Sequence, residues 1–303
     1  MTDQPLVSII MNCFNGDKFL KEAIDSVYKQ NFNNWEIIFW DNLSNDKSAY
    51  IAKSYNEKLR YFLSKKHTEL GVARNLALKK ARGKYIGFLD CDDLFIKDKL
   101  KSQTAYMEGS NHVMSYGTSI IIDKKGNELK RRVARNNSGD IFGSLLMHYE
   151  INMQSVLIKR SILEDDNLNF DTNLKFNPDY NLFMRIASKY PIGVIKKPLV
   201  KYRVLDDSLS KKSISFAGKE IRYTLDKLYH SSKDLRLKFK KEFGAAYNKI
   251  HYYEAVNSIY SKKRYEALAK LKPIIFSKIE YFILYFLIFF FIPFKVILKI
   301  IGR

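Results

Sequence analysis

The most restrictive feature of this chain is the alternation of apolar runs with amphipathic stretches between Leu6 and Leu89. Leu6 to Asn12 reads as a buried strand, Asn15-Gly16 as a turn, and the next stretch as a helix with Phe19, Leu20, Ala23, Ile24 and Val27 on one face. The unit then repeats as strand Glu36 to Trp40, helix Lys47 to Tyr55, strand Arg60 to Leu63, helix Val72 to Ala81, a stop at Gly83 and strand Tyr85 to Leu89. Strands alternating with helices predict an α/β fold, a Rossmann-like and mostly parallel sheet flanked by helices. Ligands of such sheets bind beyond the carboxyl ends of the strands, so the loops after Asn12, Trp40 and Leu89 are the places to look.

From about Val113 the pattern changes to short strands with a turn at Lys124-Lys125-Gly126, a helix near Ile141, a strand near Val156 and a helix from about Asp179. These read as a second half of the same catalytic unit. After Ser210 the chain turns helical and basic. Three segments are therefore expected: 1–110, 111–210, and 211–303, the last a basic helical extension. The formal net charge is +20, and the last segment alone carries 20 basic against 7 acidic residues, which implies anionic partners. No helix-turn-helix, zinc-finger or aromatic RNA-binding signature accompanies the charge, so nucleic acid is not expected as a partner.

The two cysteines, Cys13 and Cys91, form neither a disulfide framework nor a metal pattern, and the N-terminus lacks the basic region of a leader. A reducing compartment, the cytoplasm, is expected. Tyr281 to Phe294 holds no charge, falls short of the ~20 residues that cross a bilayer, and shows no polar face. It is expected to associate with a membrane surface from the cytoplasmic side, with Lys272, Lys278, Lys295, Lys299 and Arg303 meeting anionic headgroups.

Chemistry concentrates in Gly83 to Asp93, GKYIGFLDCDD, where a buried strand runs into Asp90, Asp92 and Asp93. Three carboxylates at a strand end repel one another unless a positive charge sits among them. A hard cation, Mg²⁺ or Mn²⁺, shared with substrate phosphates meets that need; a solvated acidic turn is the alternative. Asp179 follows Pro178 and precedes an apolar-periodic helix with Leu182, Phe183 and Ile186, so its side chain suits a helix cap. His67, His112 and His148 show no ligand spacing.

The stretches around these residues resemble glycosyltransferase family 2, inverting enzymes of the GT-A fold. The resemblance runs from Val7 to Ser210, through VSIIMNCFNG (Val7 to Gly16), WEIIFWDNLSND (Trp35 to Asp46), LGVARNLAL (Leu70 to Leu78) and GKYIGFLDCDDLF (Gly83 to Phe95). It continues through KLKSQ (Lys99 to Gln103), PDYNLFMRIA (Pro178 to Ala187) and PLVKYRVLDDSLS (Pro198 to Ser210). The resemblance implies that Asn12, Asn15 and Asp41 hold a nucleotide, that Arg74 faces the base or diphosphate, and that Asp90 lies near the ribose. It further implies that Asp92 coordinates a divalent metal, Mn²⁺ or Mg²⁺, that Asp179 is the general base, and that Asp93 and Arg203 reach the acceptor or phosphate. The chain departs from the family where Asn42 follows Asp41 in place of a second acid, where Pro178 replaces an acid, and where no histidine follows Arg203.

The implied activity is sugar transfer from a nucleotide-sugar, UDP-linked, to a hydroxyl of a lipid-linked glycan in lipopolysaccharide, capsule or related polysaccharide assembly. The competing class is a catalytically inactive nucleotide-sugar binder or a basic nucleic-acid-binding protein. A processive synthase does not fit a chain without a multi-span region.

Overall fold

A computed structural model describes residues 4–205 and 214–300, which fall into two compact units, 1–206 and 207–303. The first unit opens with β1 (Val7–Cys13), α1 (Asp17–Tyr28), β2 (Trp35–Asp41), α2 (Ser48–Lys53), β3 (Leu59–Leu63), α3 (Leu70–Leu78) and β4 (Tyr85–Phe88). The apolar spacing in α1 buries Leu20, Ala23, Ile24 and Val27 against the sheet. β2 is buried along its whole length and β1 along nearly all of it, the pattern of strands covered on both faces. Helix α3 stops at Leu78 rather than Ala81, because the amides of Lys80 and Ala81 bond three residues back and tighten the last turn. Gly83 packs so closely on β1 that a Cβ there would lie 2.5 Å from the Ser8 nitrogen.

The chain continues as β5 (Leu94–Phe95), α4 (Lys99–Glu108), β6 (Met114–Ile122), β7 (Glu128–Arg132) and α5 (Phe142–Met147). A 3₁₀ turn (Met153–Ser155), β8 (Leu157–Lys159), α6 (Arg160–Asp165), α7 (Pro178–Ala187) and β9 (Ile192–Arg203) complete the unit. The sheet runs in the order β3-β2-β1-β4-β8-β6-β9-β5, with β7 paired to β6. β3, β2, β1 and β4 are mutually parallel. The short β8 lies antiparallel to both β4 and β6, so the sheet is mixed beyond β4, and β5, from the 1–110 segment, pairs with β9 at the far edge.

The second unit contains α8 (Ile214–Ser231), α9 (Lys233–Lys238), α10 (Lys240–Tyr260), α11 (Arg264–Leu271), α12 (Ile279–Phe289) and α13 (Phe294–Ile300). Its core gathers Val256, Ile259, Leu271, Tyr281, Leu284, Ile288 and Ile297. The uncharged run expected as one segment is broken, with Phe291 at φ 59° and Pro293 ahead of α13. The Arg264 guanidinium donates to the carbonyls of Ile288 and Ile292 and lies over the rings of Phe291 and Phe294. One face of α12 therefore belongs to the core, while Ile279, Phe282, Ile283 and Phe289, with Phe290 and Phe291 after it, stay exposed. Among the described residues no helix is long and apolar enough to cross a membrane. Arg303, the last of the cations expected at headgroups, lies outside the described residues.

Candidate active site

The chain steps outward from β1 to β2 and β3, then returns to place β4 on the other side of β1. This reversal opens a crevice at the carboxyl ends of β1 and β4, the usual ligand position of such sheets. The loops around it are knitted together by polar side chains. The Asn15 amide nitrogen donates to Ser44 Oγ at 3.1 Å, and Asn15 Oδ1 accepts from the Asn45 nitrogen at 2.9 Å. Asn42 donates to the Thr68 carbonyl at 2.8 Å, and the Phe14 and His67 rings meet at 4.2 Å. Asn15 and Leu43 both adopt positive φ, 53° and 67°; the Leu43 conformation is costly for a branched side chain and persists because its neighbours over-determine it.

Of the expected nucleotide contacts, Asn12 sits at the end of β1 with its Nδ2 buried and unpartnered. Such a donor is expensive to bury unless a ligand completes it. Asp41 is fully buried, with Oδ2 accepting from Tyr61 Oη and Oδ1 from the Ser44 nitrogen, both at 2.7 Å. Asp41 and Asn15 thus shape the loops from within, whereas Asn12 offers an uncommitted atom.

Arg74, on α3, is 5% exposed. Its Nη2 lies 3.4 Å from Asp90 Oδ1, and its guanidinium stands over the Phe170 ring. Asp90 stays open to solvent on one side, its side chain 38% exposed. Burial, then repulsion from Asp90, pushes the Asp92 carboxyl up to about 6. Among the described residues no three His, Cys, Asp or Glu side chains are grouped to hold a metal by themselves. The donor set still fits a cation that shares its shell with phosphate oxygens: Asp92 would supply one hard oxygen ligand, and the crowded carboxylates would favour a neutralising charge.

Asp179 occupies the first turn of α7, while Asn177 takes the cap position. Burial raises its pKa above the usual carboxylate range, and the opposing pull of Arg74 limits the rise. The backbone N–H of Tyr180 bonds the carboxylate, and Asp90 is close enough to push its pKa further up. The fold thus brings Arg74, Asp90 and Asp179 from three separate segments into one electrostatic neighbourhood.

Asp93 and Arg203, expected at acceptor or phosphate, bond the protein around them, and Asp93 Oδ2 is buried without a hydrogen-bond partner. Asp93 is 1% exposed, and its Oδ1 accepts from the Arg203 nitrogen at 2.7 Å. The Arg203 guanidinium donates to the carbonyls of Asp92 and Lys124 and to Glu22 Oε2, over the Phe19 ring. Together they brace the carboxylate loop from behind. Two site residues escaped the sequence reading. Gln154 bonds Asp90 from 64 residues away, and Tyr61 bonds Asp41 from β3. Only the alternation of β3, which in register with β2 puts Tyr61 on the same sheet face as Asp41, could have signalled either.

Fold and family comparison agree on the class of protein: a glycosyltransferase with the GT-A fold. The chain belongs to glycosyl transferase family 2, whose model matches residues 8–168. An uncharacterized glycosyltransferase of Methanocaldococcus jannaschii is 32% identical over 67% of this chain and 72% of its own length. The Escherichia coli UDP-Glc:alpha-D-GlcNAc-diphosphoundecaprenol beta-1,3-glucosyltransferase WfgD is 30% identical over 69% of this chain and 81% of its own. An uncharacterized glycosyltransferase of Rickettsia felis is 36% identical over 65% of this chain, but the match spans only 33% of that protein. Among solved structures, S. aureus TarS 1-349 in complex with UDP-GlcNAc superposes with a TM-score of 0.70 at 18% identity, covering 89% of this chain and 80% of that one. The mannosyltransferase PcManGT from Pyrobaculum calidifontis, in complex with GDP-Man and Mn²⁺, gives 0.62 at 18% identity, covering 90% and 76%. At these identities the solved structures support the fold.

Proposed function

We propose that this chain inverts configuration as it moves a sugar from a UDP-linked donor to a hydroxyl of a lipid-linked glycan at the cytoplasmic face of a membrane. The carrying observation is the convergence of Arg74, Asp90 and Asp179 beside the β1–β4 crevice. The UDP-glucose donor of WfgD and the UDP-GlcNAc bound to TarS support uridine, and the diphosphoundecaprenol-linked substrate of WfgD supports a lipid-linked acceptor. Asn12 Nδ2 donates to the nucleotide, Asp90 meets the ribose, and Arg74 faces the diphosphate, where negative charge grows as the glycosidic bond breaks. Asp92 would hold Mn²⁺ or Mg²⁺ together with diphosphate oxygens, and the cation would neutralise the departing group.

Asp179 takes the proton of the acceptor hydroxyl as its oxygen attacks the anomeric carbon, and a single in-line displacement inverts the configuration. A carboxylate whose proton affinity is raised by burial is better matched to that task than an ordinary one. Asp179→Asn preserves size and helix-start hydrogen bonding but cannot accept the proton. Single-turnover transfer should fall by roughly 10²- to 10⁴-fold with nucleotide affinity and melting temperature retained. Near wild-type transfer by the variant would remove Asp179 from the mechanism.

A further inference from the structure

Gln154 is a buried polar residue that the chemistry above leaves without a task. It lies in the 3₁₀ turn before β8, is 3% exposed, and its Nε2 donates to Asp90 Oδ2 at 2.5 Å. The other Asp90 oxygen faces Arg74 across a looser 3.4 Å. The short contact to a neutral amide fixes the direction of the carboxylate without cancelling its charge. Arg74 alone, at the longer distance, would leave a half-exposed side chain free to rotate.

The turn that carries Gln154 is itself held in place. Its backbone nitrogen donates to Asn152 Oδ1 at 3.1 Å. From α4, Gln103 Nε2 donates to the Ser155 carbonyl at 2.8 Å, and Lys99 Nζ donates to Gln103 Oε1 at 2.8 Å. Lys99 and Gln103 are almost wholly buried, with the ammonium over the Phe95 ring. Burying a lysine and two glutamines along one wall is costly. A buried polar network does, however, hold a single geometry that an apolar wall would not impose.

We infer that Gln154 is a positioning residue for donor binding, aiming the Asp90 carboxylate into the crevice while Lys99 and Gln103 hold its turn in register. The inference rests on the reading that Asp90 meets the nucleotide.

Calorimetry would use whichever of UDP and GDP the wild-type chain binds in the presence of Mn²⁺, with Asp90→Asn, Gln154→Leu and the double variant. Gln154→Glu, of the same shape but lacking the donor, serves as a second probe if leucine disturbs folding. Gln154→Leu should weaken binding about tenfold or more, as expected for a lost hydrogen bond to a charged group. Turnover at saturating donor should change much less, and the melting temperature should stay near that of the wild type. The double variant should bind within about twofold of Asp90→Asn alone, because the two side chains act as one unit. Unchanged affinity in both Gln154 variants, or fully additive losses, would overturn the inference while leaving the role of Asp90 intact. Unchanged affinity in Asp90→Asn, or failure of the wild type to bind either nucleotide, would instead remove the reading beneath it, and the inference with it.

Discussion

At the residue scale, burial and mutual repulsion hold the carboxylates after β4 at a cost in stability. Asp92 takes up a proton near pH 6 in the folded chain, against 3.8 for an ordinary aspartate. Between those values the folded chain keeps a proton that the unfolded chain has released, so this group's contribution to stability falls as pH rises across the window. Above it, wild type carries the full cost of a buried charge. Asp92→Asn should therefore stabilise the chain at pH 7 by on the order of 1–3 kcal/mol, an advantage that vanishes below pH 3.8. The same substitution should abolish any Mn²⁺ dependence of nucleotide binding. Denaturant unfolding at the two pH values and calorimetry check the pair of outcomes, and a destabilised variant with intact Mn²⁺ dependence would return Asp92 to a purely structural role. The raised Asp179 carboxyl makes a second statement with a definite sign. A base works only when deprotonated, so single-turnover transfer should fall as pH drops, with a midpoint above the usual carboxylate range. The residual rate of Asp179→Asn should lack that limb.

At the element scale, α12 and α13 bury one face of an apolar sequence and leave another exposed. Tyr281, Leu284 and Ile288 complete the core of the second unit, so deleting the chain from Lys278 would strip that core along with any lipid contact. Charge placed on the outer face is the cleaner probe. Phe289→Glu and Phe290→Glu together alter rings that are 50% and 67% exposed. Flotation with anionic vesicles should be lost while helicity and nucleotide affinity persist, because exposed rings and flanking lysines are what a headgroup layer would receive. A wild-type chain that never floats would eliminate the membrane surface as a partner. Arg264 closes the break between the helices, satisfying the carbonyls of Ile288 and Ile292 while its guanidinium covers two rings. Arg264→Ala leaves those helix-end carbonyls without their cationic donor and should cost about 1–3 kcal/mol in the second unit. Arg264→Lys, with the charge but not the planar fork, should recover only part of it.

At the scale of the whole molecule, the β-α units from β1 to β4 were legible because their signal is local: apolar residues recur at the period of a strand or a helix, as in Leu20, Ala23, Ile24 and Val27. The carboxylate loop was legible too, since three acids directly after a buried strand are unusual in any fold. The three-residue β8 was not, because a strand of that length has no periodicity to read; its antiparallel place between β4 and β6 turns a mostly parallel expectation into a mixed sheet. Composition alone made Tyr281 to Phe294 a single run, although Pro293 already marked where a helix could not continue.

The site divides along the same line. The sequence by itself determined which chemical groups are available and where along the chain each is delivered: carboxylates at Asp90 and Asp92, a cation at Arg74, an acid at the start of α7. Tertiary structure alone decided which of them meet. Asp179 suits a helix cap or a base by sequence; folding puts it in the first turn of α7, where its carboxylate takes the Tyr180 N–H, and brings it within electrostatic reach of Arg74 and Asp90. Folding surrounds Arg203 with Glu22, from 181 residues away, and the carbonyls of Asp92 and Lys124. The physical reason is one of range. Backbone preference and side-chain periodicity act over a few residues and are written in the order of the chain. Burial, carboxylate pKa values and hydrogen-bond partners are set instead by whatever the sheet order brings within a few ångströms.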